Sequence, residues 1–173
     1  EGLEFKEALE VLAKKAGVIL QRKTSQRQDF KERLFEANLK AQEFFHYVLT
    51  KHSLGKKALA YLRDRGVSLE TISQFGIGYA PNSWESLTKF LLKRGFSTQE
   101  IVTSGLGVAS KSGSYDRFRG RVTYPLFDSK DKLRGFSGRV LYHAEPKYIN
   151  TPQTLIFDKG SFLFGLNLAK GEI

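Results

Sequence analysis

The amino-acid sequence predicts an α+β fold in which a helical first part leads into a small, mostly antiparallel sheet. Three observations carry that expectation. Apolar residues recur at helical spacing, between recognisable caps, as far as Ser104. From Gly105 onward Gly and Ser become frequent and the periodicity shifts toward alternation. An apolar fraction of 40% with 13% aromatics is enough to build a buried core.

Phe5, Leu9, Leu12, Ala13 and Ala16 repeat at helical spacing and Gly17 comes directly after them, which predicts a short amphipathic helix with a glycine C-cap. Leu20 to Gln28 is polar, basic and aperiodic, and reads as an exposed linker. A long helix is expected over Phe30 to Thr50, with Leu34, Ala37, Leu39, Ala41, Phe44, Phe45, Val48 and Leu49 as its apolar face. Ser53 is expected to cap a helix from Leu54 to Arg65, closed by Gly66, and Ser83 one from Trp84 to Arg94, closed by Gly95. Ser68 with Thr71, and Ser97 with Glu100, open two shorter helices, the second through a capping box.

Beyond these helices, Val122 to Phe127 reads as a strand, Asp128 to Lys132 as a polar turn and Leu133 to Tyr142 as a returning strand. Pro125 lacks an N–H and marks the first of them as an edge strand or a strand end. Short strand candidates come later at Tyr148–Asn150 and Phe162–Phe164. No internal repeat and no low-complexity segment interrupts the chain.

Composition bounds the function. A net charge of +10 suggests a polyanionic partner, either nucleic acid or an acidic membrane surface, and on composition alone a merely soluble basic protein is an even alternative. No run of apolar residues is long enough to cross a bilayer, and the acidic start of the chain does not suit a secretory signal or a transit peptide. With no cysteine, disulfides and thiolate metal sites are excluded within these residues. The chain also contains no methionine, and is therefore expected to be an excised piece of a longer protein.

The charge is patterned. Arg117, Arg119 and Arg121 stand at every second position, so in extended backbone they would share one face at a strand entrance. Asp116 is a single acid and cannot neutralise three guanidinium groups. A solvated edge that deters strand aggregation is one reading. Phosphate binding ranks above it, because arginine forks match phosphate oxygens and Gly120 permits close backbone approach. Arg134 and Arg139 bracket a second strand. Between Pro146 and Pro152 lie Lys147, Tyr148, Asn150 and Thr151. Lysine offers a point charge to a phosphate, and asparagine can bond a sugar, a base edge or a metal-bound water. For Tyr148 core packing ranks above base stacking, and for Lys147 the two readings are even. Lys159 adds a further cation beside Gly160. A Gly-punctuated basic surface with interleaved aromatics is the footprint expected for single-stranded nucleic acid. His46, His52 and His143 are scattered and form no ligand pair, and Asp128 and Asp131 belong to a turn. No nucleophile elbow, P-loop or cysteine nucleophile is present.

Three segments, YDRFRGRVTYPLFD, RGFSGRVL and PKYINTPQTLIFDKGSFLFGLNLA, together with Phe75-Gly76-Ile77-Gly78-Tyr79-Ala80-Pro81 and the helix end Tyr61 to Gly66, resemble in order and spacing the core motifs of bacterial DnaG-type DNA primases. The similarity runs from about Phe30 to Ala169. Ser137 stands where the family usually has glycine, and Thr123-Tyr124 where it usually has Met-Phe. The resemblance implies that residues 1–27 are the trailing helix of a zinc-ribbon domain plus a basic linker. It further implies that residues 28–173 are the N-terminal subdomain of the RNA-polymerase core, mainly helical over 28–109 and basic and β-rich over 110–173. A Toprim subdomain, holding Mg²⁺ or Mn²⁺, would lie beyond residue 173, Zn²⁺ in the preceding domain, and a C-terminal domain would bind the replicative helicase.

The activity so implied is synthesis of short RNA primers from ribonucleoside triphosphates on a single-stranded DNA template, in the bacterial cytoplasm at the replisome. Arg117, Arg119, Arg121, Arg139, Lys147 and Lys159 would form the basic side of the cleft, with Asn150 positioning the incoming nucleotide. No catalytic residue and no metal ligand is expected within the chain, which would be monomeric and inactive by itself. The alternative, from a different class, is a non-catalytic single-strand-binding module, and another is an interaction scaffold with a solvated basic face.

Overall fold

The computed structural model describes residues 12, 15–16, 26–141, 145–161 and 165–169. The expected helix over 5–17 lies outside them, save that the Ala16 N–H donates to the Leu12 carbonyl at 2.9 Å. The candidate strand Phe162–Phe164 lies outside them as well. The long helix, α1, spans Gln26–Lys51. Gln26 to Gln28 therefore belong to a helix and not to a linker. An exposed first turn tolerates polar residues, and Asp29 there suits the positive end of the helix dipole.

α1 buries Leu34, Ala37, Ala41, Phe45, Val48 and Leu49 as expected, but Asn38 takes the inward place intended for Leu39. The Asn38 amide donates to the Leu133 and Arg134 carbonyls at 3.3 and 3.0 Å, which satisfies strand ends that no apolar side chain could serve. Leu39 is left 45% exposed.

His52, not Ser53, provides the next cap. Its Nδ1 accepts from Leu54 N at 3.2 Å and opens a 3₁₀ turn, Ser53–Gly55. α2 then spans Lys56–Asp64 and α3 spans Leu69–Gln74, the latter capped by Ser68. α4 covers Ser86–Leu92, and α5, Thr98–Thr103, has the expected capping box of Ser97 and Glu100.

Among the described residues six strands make two sheets. β1 (Gly78–Ala80), β4 (Arg121–Phe127), β5 (Leu133–Val140) and β6 (Tyr148–Asn150) form an antiparallel sheet in the order β1-β4-β5-β6. β2 (Gly107–Ser110) and β3 (Gly113–Asp116) form a separate hairpin that the Gly/Ser texture concealed. The chain described ends in a 3₁₀ turn, Lys159–Ser161, and a last turn of helix, α6, Leu166–Ala169. Pro125 sits in an inner strand, contrary to the edge-strand expectation. It is tolerated because β1 pairs only with Arg121 to Thr123, so the Pro125 side that lacks an N–H meets no strand.

Two apolar clusters hold the sheet. Ala37, Ala41 and Phe45 of α1 pack with Ala80, Leu91, Phe118 and Phe136 on one face. Val48, Leu49, Leu62 and Ile72 close over Tyr79 and Val122 on the other. The helical and β-rich halves therefore share one core, with β1 contributed by the helical half.

A polar clamp ties α1 to α5. Arg33 donates to Glu100 at 2.9 Å, to Glu36 at 2.8 Å and to the Gly95 carbonyl at 3.0 Å. Burial pushes the Glu100 carboxyl up, but the bonds from Arg33 and Ser97 outweigh it and hold the group below its ordinary value. A depressed folded-state value stabilises the fold above the ordinary carboxylate range, and that contribution is lost as pH falls through the lower value. Glu100→Gln should cost about 1–2 kcal/mol at neutral pH and flatten the acid side of the stability profile. Urea unfolding at neutral and acidic pH measures this, and parallel losses for both proteins at every pH would refute it.

Candidate nucleic-acid interface

The segment Tyr115 to Arg121 begins in β3 and ends in β4, and between them the backbone is not extended. Gly120 adopts φ +60°, a left-handed turn beside Asn82. Alternation is broken there, so Arg117, Arg119 and Arg121 do not share a face, and the strand-entrance expectation is corrected. Arg117 donates from Nε to the Gly105 carbonyl at 3.0 Å, and burial lowers its pKa. Arg121 is only 8% exposed. Its Nη2 donates to the Pro146 carbonyl at 2.9 Å and its Nη1 to the Lys147 carbonyl at 3.2 Å, so it anchors the segment that carries Lys147. Burial and then the charge of Arg119 lower its pKa.

Arg119 has a different environment again. Its guanidinium lies 4.1 Å from the Trp84 ring centroid and 5.2 Å from that of Tyr115, while Nη1 donates to the Asp116 carbonyl. The two rings meet edge-on at 5.2 Å. Trp84 is 62% exposed, so a cation and two aromatic rings stand together at the surface. Asp116 does not face these charges. Its carboxylate accepts from Leu87 N, Thr88 N and Thr88 Oγ1, each at 2.8 Å, and from Ser86 Oγ at 3.2 Å, which caps α4 from outside the helix. Ser83, the expected cap, receives only Glu85 N at 3.4 Å.

A second surface lies on the sheet. In the β4–β5–β6 register Tyr124 opposes Ser137, Ser137 opposes Asn150, and Arg139 opposes both Val122 and Tyr148. Directly paired residues point to one side, which puts Arg139, Tyr148 and Asn150 on one face and Arg121 on the other. On that face Tyr124, Leu126, Ser137, Tyr148, Asn150, Phe157 and Lys159 line a cleft of about 430 Å³. Tyr148 is exposed there rather than packed in the core. Burial and then the neighbouring Tyr148 push the Tyr124 hydroxyl above its ordinary value.

At the margin Arg139 donates from Nη1 to the Tyr61 hydroxyl, with its guanidinium 5.0 Å from the Tyr61 ring centroid and 5.9 Å from that of Tyr148. Arg65 lies 5.4 Å from the same Tyr61 ring. The structure thus puts Asn150 and Lys159 in the lining of one cleft and Arg139 on the same sheet face beside Tyr148, leaves Lys147 exposed next to Tyr148 in sequence, and sets Arg117, Arg119 and Arg121 elsewhere. Sequence reasoning missed Tyr61, Arg65, Trp84, Tyr115 and Tyr124. Their role depends on contacts between distant segments, and only the solitary Trp84 carried a hint.

The His46 Nδ1–H donates to the Ile77 carbonyl at 2.8 Å, and His143 lies outside the described residues. Among the described residues no three His, Asp or Glu side chains gather in a group that could hold a metal. Among the same residues no helix is long and apolar enough to cross a membrane.

The chain matches the family model for the DNA primase catalytic core, N-terminal domain, over residues 44–170. It is 38% identical to the DNA primase of Clostridium acetobutylicum over 173 residues, covering 98% of this chain and 28% of that protein. The chain thus spans little more than a quarter of that relative. Among solved structures, the RNA polymerase domain of Mycobacterium tuberculosis primase DnaG, in complex with a double-stranded DNA oligomer with a 6-nucleotide overhang, superposes with a TM-score of 0.77 at 37% identity, over 82% of this chain and 45% of that one. A DnaG primase catalytic domain bound to single-stranded DNA gives a TM-score of 0.77 at 36% identity, over 83% of this chain and 46% of that one. Its motifs, its α+β architecture and these matches place the chain in the bacterial DnaG-type DNA primase family, where it carries the N-terminal domain of the catalytic core.

Proposed function

We propose that the chain supplies the template- and nucleotide-binding face of an enzyme that builds short RNA primers on single-stranded DNA. The observation that carries this reading is the open sheet face where Asn150 and Lys159 line a cleft of about 430 Å³ and Arg139 stands on the same face beside Tyr148, in a chain of net charge +10. A relative solved with single-stranded DNA supports it. Arg139 and Lys159, with Lys147 at the rim, neutralise the triphosphate of an incoming ribonucleotide, and Asn150 orients it. Arg119, stacked on Trp84 and Tyr115, offers a sequence-tolerant platform for unpaired template bases. Arg117 and Arg121 add positive potential while holding the segments at Gly105 and at Pro146 and Lys147.

These groups position substrates and neutralise charge, and none of them needs to move a proton. Mg²⁺ or Mn²⁺ on a Toprim subdomain would supply the Lewis acid for nucleotidyl transfer, and Zn²⁺ would belong to a separate ribbon domain, both outside this chain. Template, primer strand and replicative helicase are the partners of the whole protein, and this chain by itself binds DNA without making primer.

Binding of a fluorescent single-stranded oligonucleotide, titrated over a range of salt concentrations, tests the reading. The affinity of the chain should fall steeply with salt. Lys147→Ala should flatten the log–log slope by about 0.7, the increment for one phosphate contact on a single strand. An unchanged slope removes Lys147 from the interface. Salt-independent or absent binding overturns the nucleic-acid reading in favour of an interaction scaffold.

A further inference from the structure

We infer that Tyr61 is a positioning residue for the nucleotide cleft, acting through Arg139, whose guanidinium its hydroxyl orients. The inference rests on the reading of that cleft as the nucleotide site. Arg139 projects from β5 with a long, rotatable side chain, and among the described residues it forms no ion pair that would hold it. Its surroundings are tyrosines instead. Nη1 donates to the Tyr61 hydroxyl, and the rings of Tyr61 and Tyr148 lie 5.0 and 5.9 Å from its central carbon.

Geometry explains why that arrangement matters. A guanidinium is a planar fork of five N–H donors, and a two-pronged contact with phosphate requires the plane to face the anion. Donors committed to the hydroxyls of Tyr61 and Tyr148 set the plane and leave the remaining N–H groups available. A carboxylate in the same place would neutralise the charge that the cleft needs, whereas a neutral hydroxyl orients it and leaves the charge intact. Tyr61 is itself held firmly, since its helix α2 buries Ala58 and Leu62 in the second apolar cluster. Arg65, one turn further on, lies over the same ring, so one tyrosine organises two cations at the margin of the cleft.

The test uses the full-length primase. Tyr61→Phe keeps the ring, the packing and the cation–π contacts, and removes only the acceptor. Its melting temperature should match the wild type, its KM for ribonucleoside triphosphate should rise about tenfold, and its kcat should change less than about twofold, the pattern of lost binding orientation. In an Arg139→Ala background the same substitution should add nothing, because its effect passes through Arg139. An unchanged KM for Tyr61→Phe beside a raised KM for Arg139→Ala overturns the positioning role alone. So does a Tyr61→Phe effect that persists undiminished without Arg139, or one confined to kcat or to thermal stability. If Arg139→Ala itself leaves KM unchanged, the nucleotide reading of the cleft fails first.

Discussion

Asp116→Ala should cost about 3–4 kcal/mol of folding stability, because one buried carboxylate satisfies two backbone N–H groups and two hydroxyls at the entrance of α4. Asp116 is 1% exposed. One of its oxygens accepts from Leu87 N and Ser86 Oγ, and the other from Thr88 N and Thr88 Oγ1. Alanine would strand two backbone N–H groups and a threonine hydroxyl in the interior, where each unmet donor costs about 1–3 kcal/mol before relaxation. Asparagine is a poor substitute, since its amide nitrogen would confront a donor on one side or the other.

The pH dependence of this residue runs opposite to that of Glu100. Burial holds the Asp116 carboxyl above its ordinary value, against the pull of the bonds from Leu87, Thr88 and Ser86. With the folded-state value the higher one, the stabilisation linked to its proton is complete below the ordinary aspartate range and is lost as pH rises through the raised value. Asp116→Asn should remove that component and flatten the profile in the same window. Urea unfolding followed by circular dichroism across that range reads both effects, and a loss under about 1 kcal/mol for Asp116→Ala would show that α4 is capped by other means. The site should also feel the change. The Trp84 carbonyl accepts from Asp116 N at 2.7 Å, so loosening α4 loosens the ring on which Arg119 lies.

Asp116 also marks the boundary of what could be read from sequence. Caps at Ser68 and Ser97 were legible because donor and acceptor lie three residues apart, and the structure has both. Ser83 offered the same local pattern, yet the helix is capped by a carboxylate 28 residues away from Thr88. Local chemistry was satisfied by a long-range partner, which periodicity cannot reveal. The three arginines make the same point. Identical side chains at even spacing end up on a carbonyl near α5, on a surface aromatic pair and in the interior beneath the Lys147 segment. The chain leaves the extended form after Asp116, and one glycine with positive φ, Gly120, then separates Arg119 from Arg121. The strands themselves were legible from alternation. Their pairing order was not, and pairing order is what puts Arg139, Tyr148 and Asn150 on one face of the sheet.

Gly78→Ala should cost about 3 kcal/mol or more, well beyond the ordinary penalty of adding a methyl group to a strand. A Cβ built at Gly78 would stand 2.5 Å from the Phe45 Cβ, 2.6 Å from the Phe45 carbonyl carbon and 2.8 Å from His46 N. Two of those atoms are helix backbone, which cannot swing aside as a side-chain tip can. Nor can α1 retreat as a body, because Phe45 is wedged edge-on against Phe136 and Phe118 at 5.5 and 6.4 Å. Gly66→Ala is the matched control. That glycine has φ +78° but open space around it, so only the left-handed backbone penalises the substitution, by about 1 kcal/mol. The difference between the two variants isolates the contact between α1 and β1.

Function should track stability at Gly78. β1 pairs with Arg121 to Thr123, so forcing β1 away from α1 displaces the start of β4. Arg121 then loses its alignment with the Pro146 and Lys147 carbonyls, and the segment bearing Lys147 is released from the sheet. Single-strand affinity measured well below the unfolding midpoint should therefore drop in Gly78→Ala and stay near wild type in Gly66→Ala. If Gly78→Ala unfolds within about 0.5 kcal/mol of the wild type, the helix and strand are free to separate, and the sheet face is not held in place by their contact.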